Sequence, residues 1–282
     1  MTAIGTVPDP PTGPTPDPPS VPPVRAVRPA RPVRHLVALG DSTAVGIGDP
    51  LPGGGWRGFP TLLRDALGEP GAVQMTTLAR SGARMADTRH VQVPAAAALG
   101  ADVVVLCAGM NDTLRSDFDP AAVGRDCAEA LAVLQRSGAH VLVLRYHDHT
   151  RVFRLPAPLR RALQARIAAL NDALDAAVAA TAGVDVLDLA LLPGGYEPES
   201  WSVDRLHPSE RGHRLLARGL GDLLVAAGWQ VGAPVGLDCA GGRRVTAWQR
   251  GAWLVAEGVP WLLRRSRDLG PVMLRGLVEG LR

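Results

Sequence analysis

Beyond residue 34, the chain alternates short apolar runs with longer stretches rich in alanine and leucine. The short runs predict five β-strands, at His35–Leu39, Ala72–Leu78, Asp102–Cys107, His140–Tyr146 and Val184–Leu189. Three of these runs are continuously apolar, as expected for strands that are covered on both faces. The longer stretches predict helices at Phe59–Leu67, Pro120–Ser137, Pro158–Ala182 and Pro208–Ala227.

Strands that alternate with crossover helices indicate an α/β fold of three layers, α/β/α, around a five-stranded, mostly parallel sheet. The stretch Met85–Leu99 stays open between helix and loop because Pro94 interrupts it. Ligands of such sheets collect beyond the carboxyl ends of the strands. We therefore expect the residues that carry chemistry to follow the strands directly.

The two ends of the chain differ in composition from its middle. Eleven of the 25 prolines fall between Pro8 and Pro32, which predicts a disordered arm over residues 1–34. Residues 35–231 form the predicted domain. Residues 232–282 carry three tryptophans among many arginines and predict a basic extension of two short helices. These helices would either dock on the domain or make weak contact with an anionic membrane surface.

Composition also excludes several classes of function. The net charge is only +3 and the arginines are spread along most of the chain, which argues against a nucleic-acid partner. Residues 1–20 lack the apolar run of a secretory signal, and no run could span a bilayer, so we expect a cytoplasmic protein. No two of the three cysteines form a C-x-x-C pair, so we expect small buried side chains rather than a disulfide or zinc site at Cys107, Cys127 and Cys239.

Candidate chemistry follows the first three strands. Ser42 comes after the first strand in the sequence Gly-Asp-Ser-Thr, where its hydroxyl would be exposed and its N–H could face an anion. Gly82 and Asn111 follow the second and third strands. A glycine N–H and an asparagine amide are the neutral donors that stabilise an oxyanion. Each residue could equally serve as a turn glycine or a helix cap.

A carboxylate and a histidine lie far downstream, three residues apart. Asp204 and His207 can share one turn of chain, with the carboxylate holding Nδ1 and leaving Nε2 free for the serine. His213 is the rival base. Its position predicts the solvated face of the last helix or a local packing role instead.

These blocks together resemble the SGNH or GDSL hydrolases, a family named for its serine, glycine, asparagine and histidine blocks. The resemblance covers Leu36–Ala227 and includes G-D-S, the block glycine, G-x-N-D and D-x-x-H in the family's order. It implies a flavodoxin-like fold, a nucleophile at Ser42, a base at His207 and an orienting carboxylate at Asp204. The implied oxyanion hole is the N–H groups of Ser42 and Gly82 with the amide of Asn111.

The implied reaction is hydrolysis of a small-molecule carboxylic ester or thioester through an acyl-enzyme on Ser42. No metal or organic cofactor is implied. Two alternatives stay open: an acyltransferase that passes the acyl group to an alcohol or amine, and a non-catalytic binding protein on the same fold. The sequence does not determine the oligomeric state.

Substrate contacts are predicted at Thr43, which replaces the leucine of the family's name, and at Trp56, His147 and Val203. Trp56 would cap the pocket or pack in a core, and packing is favoured. His147 begins an H-D-H sequence that predicts a polar loop, with pocket lining and metal binding as alternatives. Val203 belongs to a group of candidates for the acyl or alcohol subsite, with Tyr196 and Trp201.

Overall fold

A central sheet of five parallel strands organises the protein. The computed structural model describes residues 30–152 and 155–242. The strands are β1 (His35–Gly40), β2 (Gln74–Thr77), β3 (Val103–Cys107), β4 (His140–Arg145) and β5 (Val184–Asp188), in the order β2-β1-β3-β4-β5. All four pairings are parallel, so the predicted α/β class is confirmed and the sheet is wholly parallel.

Helices cover both faces of this sheet. They are α1 (Ser42–Val45), α2 (Gly58–Leu67), α3 (Met85–Asp87), α4 (Val93–Ala98), α5 (Met110–Thr113), α6 (Pro120–Arg136), α7 (Ala157–Ala179) and α8 (Glu210–Ala226). Alternate residues of β3 enter two separate cores, with Val104 and Leu106 packing beneath α6 and α7. Val103 and Val105 pack on the opposite face beneath α2 and α8. The predicted three layers follow from this alternation.

Two local predictions needed adjustment. The second strand begins at Gln74, because the N–H of Ala72 closes a turn onto the carbonyl of Glu69 and cannot join the sheet. The stretch around Pro94 is helical. A π-helix over Thr88–Gln92 joins α3 to α4, and Pro94 lies at the start of α4, where the hydrogen-bonding pattern changes from that of the π-helix.

The end of the proline-rich arm packs against the domain. Arg31 donates its N–H to the carbonyl of Gly228 at 3.0 Å, and its guanidinium lies 4.2 Å from the centre of the Trp229 ring. Val33 is buried in the core beneath α2 and α8. The expected disorder is therefore wrong for residues 30–34, while residues 1–29 lie outside the described part of the chain.

Residues 232–242 run over the domain without forming a helix. The carbonyl of Ala240 accepts hydrogen bonds from Arg57 and Arg214, each at 2.8 Å. Its N–H donates to Glu210 at 2.7 Å, and Arg57 also pairs with Glu210. The helical prediction is wrong for this segment, where side chains of the domain bond the backbone of Ala240 instead. The tryptophans and the proposed membrane contact lie in residues 243–282, outside the described range.

Two of the three cysteines are buried in the domain. Cys107 and Cys127 are buried as expected, but Cys239 is exposed because it lies in the segment that runs over the surface. In residues 30–152 and 155–242, no helix combines the length and the apolar character that crossing a membrane requires.

Candidate active site

Ser42 lies at the carboxyl end of β1, on a turn that is fixed from both sides. The side chain of Gln92 bonds the N–H of Gly40 at 2.7 Å and its carbonyl at 2.9 Å. Asp41 caps α1 by accepting the N–H of Thr43 at 2.9 Å. Ser42 is the first residue of α1. The buried strand and the cap together determine where its hydroxyl lies.

A tight loop between Trp201 and Pro208 positions the histidine. Its two ends pair as an antiparallel bridge. One oxygen of Asp204 accepts the N–H groups of Leu206 and His207, at 2.9 and 3.0 Å. The other oxygen lies 2.6 Å from Nδ1 of His207. One carboxylate therefore fixes both the backbone of the loop and the orientation of the imidazole ring.

Three side chains form a continuous hydrogen-bonded row. Nε2 of His207 lies 2.8 Å from Oγ of Ser42, across 165 residues of sequence. Burial raises the pKa of Asp204, but the hydrogen bonds and charge of His207 outweigh it and leave that pKa below its ordinary value. The carboxylate is thus ionised beside the ring. Such a row can move a proton from the serine hydroxyl to the imidazole.

The predicted oxyanion donors are the N–H groups of Ser42 and Gly82 and the side-chain amide of Asn111. Within the described segments, the structure gives no acceptor to the N–H of Ser42 or to that of Gly82. The amide of Asn111 donates to the carbonyl of Ala83 at 3.1 Å and lies 3.4 Å from a carboxylate oxygen of Asp41. Because Ala83 adjoins Gly82, this bond ties the second and third sequence blocks together.

A largely apolar cavity opens beside Ser42. Its walls include leucines from five parts of the chain, namely Leu114, Leu144, Leu189, Leu192, Leu206, Leu215 and Leu216. Thr43 and His147, both predicted to contact substrate, are part of this lining, as are Asn111 and His207. A bound molecule could therefore contact the hydrogen-bonded row and an apolar wall at the same time.

The sequence matches a known family over most of the described domain. The model of the "GDSL-like Lipase/Acylhydrolase family" matches residues 38–215, which include all four blocks. The chain belongs to this family. The resemblance seen in the sequence is therefore confirmed, and the protein is a serine hydrolase of the GDSL-like type.

Solved structures show the same fold for this GDSL-like hydrolase. LAE5, an α/β hydrolase from the metagenome of Lake Arreo, is 20% identical with a TM-score of 0.56, covering 69% of this chain and 96% of its own. Esterase EstA from Pseudoalteromonas sp. is 14% identical (TM-score 0.53, coverage 69% and 98%). The lipase/acylhydrolase from Enterococcus faecalis is 22% identical (0.52, 69% and 96%). No curated protein matches the chain.

Several predicted site residues of the GDSL-like hydrolase lie outside the cavity. Trp56 is 42% exposed on a loop with three preceding glycines, so its predicted core packing is wrong. Neither Trp56 nor Val203 lines the cavity. The loop of Val203 contributes Trp201, Leu206, His207 and Pro208 to the lining instead. Gly82 also lies outside the lining, although Asn111, which is part of it, bonds the carbonyl of the neighbouring Ala83.

His213 is completely buried rather than solvated. Its Nδ1 accepts the N–H of Phe59 at 3.2 Å, and its Nε2 donates to the carbonyl of Ile47 at 3.0 Å. The ring therefore satisfies a free N–H at the start of α2. The solvated alternative was wrong because the partners come from a segment more than 150 residues away, which the sequence pattern of α8 does not reveal.

The H-D-H sequence forms part of the cavity wall. His147 and His149 are each 4% exposed and line the cavity, so the favoured prediction of a polar loop is wrong for both. Asp148 turns to the start of the next short helix, where it accepts the N–H of Thr150 at 3.0 Å. No group of three or more metal ligands occurs among the described residues.

Acid is expected to destabilise the GDSL-like hydrolase through its buried histidines. Burial lowers the pKa of His147 and His213 to about 4, and burial with the adjacent His147 lowers that of His149 to about 3. In the unfolded chain these histidines take up protons near pH 6.5. Their contribution to the free energy of unfolding is therefore fully present above about pH 6.5 and is lost as the pH falls towards their pKa values in the folded protein.

Asp41 acts in the opposite direction. Burial raises the pKa of Asp41 from 3.8 to about 6. Its contribution to the free energy of unfolding is therefore present at low pH and is lost as the pH rises through about 6. One carboxyl thus offsets part of the effect of three histidines. Urea unfolding at pH values from neutral to about 4.5 measures the net effect of the four groups. We expect the free energy of unfolding to fall over this range, and a constant value would contradict the prediction.

Proposed function

We propose that this protein is a serine esterase that hydrolyses a carboxylic ester or thioester through an acyl-enzyme on Ser42. The observation that carries the proposal is the row from Ser42 through His207 to Asp204, with distances of 2.8 and 2.6 Å, beside an apolar cavity. Membership of a lipase and acylhydrolase family supports the same class of reaction.

In the proposed reaction, Oγ of Ser42 attacks the carbonyl carbon while Nε2 of His207 takes the hydroxyl proton. The leaving alcohol or thiol departs with that proton. A water molecule then attacks the acyl-enzyme and gives its proton to His207. The bond between the acyl carbon and Oγ of Ser42 breaks, His207 returns the proton to that oxygen, and the acid leaves. Asp204 stabilises the imidazolium in both halves of the reaction without taking up the proton itself.

The negative charge of each tetrahedral intermediate would be held by neutral donors. The candidates are the N–H groups of Ser42 and Gly82 and the amide of Asn111. An asparagine amide has two N–H groups. One of them donates to the carbonyl of Ala83 at 3.1 Å, which fixes the side chain. The other donates to a carboxylate oxygen of Asp41 at 3.4 Å, and this longer bond is the one that would be exchanged for the oxyanion.

The cavity favours an uncharged acyl group. Its walls are largely apolar and include seven leucines, and the side chains of His147 and His149 in them are neutral at physiological pH because burial lowers the pKa of both. Burying a charged group there would be costly, whereas apolar surface is favoured. The structurally similar EstA from Pseudoalteromonas sp. was solved inhibited by monoethylphosphonate, which suggests a phosphonate as a probe of the site.

Labelling by a fluorophosphonate probe tests the proposal. We expect one adduct per chain on the peptide that contains Ser42, and matching loss of activity towards a panel of aryl esters of increasing acyl length. Mass spectrometry locates the adduct. A folded protein that hydrolyses the esters without being labelled at Ser42 would overturn the assignment of the nucleophile.

A further inference from the structure

A pair of histidines reaches the catalytic loop from another part of the chain. Nε2 of His149 lies 3.0 Å from the carbonyl oxygen of Arg205, between Asp204 and His207. A carbonyl oxygen can only accept a hydrogen bond, so Nε2 of His149 carries a proton. His149 is thus a donor that belongs to the connection after β4 and bonds the backbone of the Asp204–His207 loop.

The second ring determines the tautomer of the first. Nδ1 of His149 lies 3.0 Å from Nε2 of His147. Because burial keeps both rings neutral, the proton on Nε2 of His149 leaves its Nδ1 unprotonated. The proton between the rings therefore belongs to His147. Only this arrangement satisfies both hydrogen bonds, so His147 holds His149 in the tautomer that can donate to the loop.

The loop that receives this bond contains a strained residue. Arg205 has a φ of 55°, and it is the sole residue other than glycine with positive φ in residues 30–152 and 155–242. A side chain in this left-handed conformation persists only where its surroundings hold it. Its guanidinium bonds the carbonyl of Pro198 at 2.8 Å, and its own carbonyl is held by His149. Both contacts therefore favour the conformation that presents His207 to Ser42.

We propose that His149 is a positioning residue for His207, that it acts through the backbone carbonyl of Arg205, and that His147 fixes its tautomer. This role rests on the proposed function of the Ser42 site. His149 need not touch the reacting atoms. It holds the strained turn, and the turn holds the imidazole at bonding distance from the nucleophile.

The surroundings of His149 allow a matched pair of substitutions. Its ring packs edge-on against Trp201, with centroids 4.7 Å apart. His149→Phe keeps an aromatic ring in that position and removes the N–H. His149→Gln keeps an amide N–H that can still bond the carbonyl of Arg205. His140→Phe makes the same exchange at the opposite end of β4, remote from the cavity, and is the control.

The expected result is a loss of turnover without a loss of substrate binding. We expect His149→Phe to lower kcat by about 10- to 100-fold, the effect of a small misplacement of a catalytic group, with KM unchanged. Fluorophosphonate labelling of Ser42 should slow by the same factor. His149→Gln should recover most of the activity, and His140→Phe should behave as the wild type.

Other outcomes overturn the proposal. An unchanged labelling rate in folded His149→Phe, a change in KM alone, or equal losses in the Phe and Gln variants would each do so. Should His149→Phe not fold, histidine NMR on the nitrogen-labelled wild type decides, because the proposal requires a proton on Nε2 of His149 and none on its Nδ1. Absence of labelling in the wild type would instead refute the Ser42 mechanism itself.

Discussion

Ser42→Ala is expected to lower the turnover of aryl esters by about 10⁴- to 10⁶-fold while the fold stays intact. Removing Oγ removes the atom that forms the acyl-enzyme, and no hydroxyl replaces it at 2.8 Å from His207. The remaining donors could still bind substrate and stabilise charge, so a small residual rate is expected. Purified variant and wild type are compared under saturating substrate, with circular dichroism to verify folding.

The same measurement can show that the row acts as a unit. Adding His207→Ala to Ser42→Ala should cause little further loss, because each single change already stops the same step. Ser137→Ala is the matched control, since its hydroxyl bonds the carbonyl of Leu134 at the end of α6. Activity of Ser42→Ala equal to that of this control would end the proposed mechanism.

Gly40→Ala is expected to destabilise the protein by about 3–5 kcal/mol, a large part of the free energy of unfolding of a typical domain. Gly40 has a φ of 125°, and a Cβ there would lie 1.8 Å from the carbonyl oxygen of Cys107. That oxygen belongs to the backbone of β3 and accepts the N–H of Asp41. The clash can be relieved only by moving the strands that position Ser42.

Gly138→Ala separates the two causes of this loss. Gly138 also has positive φ, at 86°, but a Cβ there would meet nothing within 4 Å. Gly138→Ala should therefore lower the free energy of unfolding only by the cost of a side chain in the left-handed backbone conformation, about 1–2 kcal/mol. Urea unfolding of both variants gives the difference, which measures the steric part. Equal losses in the two variants would show that the close approach of β1 to β3 is not what requires glycine at residue 40.

The elements of this fold could be predicted from the sequence because their signals are local. Apolar runs of strand length and the alanine-rich stretches between them depend only on neighbouring residues. The carboxyl ends of parallel strands meet at one edge, so the strand pattern was enough to predict that Ser42 and Asn111 would lie near one another, whereas the place of His207 came from the family resemblance. The segment with Pro94 could not be assigned locally, because the π-helix there depends on contacts with the rest of the fold.

The burial of polar side chains was decided only by the tertiary structure. His213 packs against the start of α2, and His149 bonds the loop of Arg205, through partners 154 and 56 residues away in sequence. No local pattern encodes such pairs, because a buried polar group is stable only where a distant partner satisfies it. The sequence by itself determined the class of fold and the residue types at the sheet edge. Tertiary packing decided which histidine meets Ser42 and which ones support the loop around it.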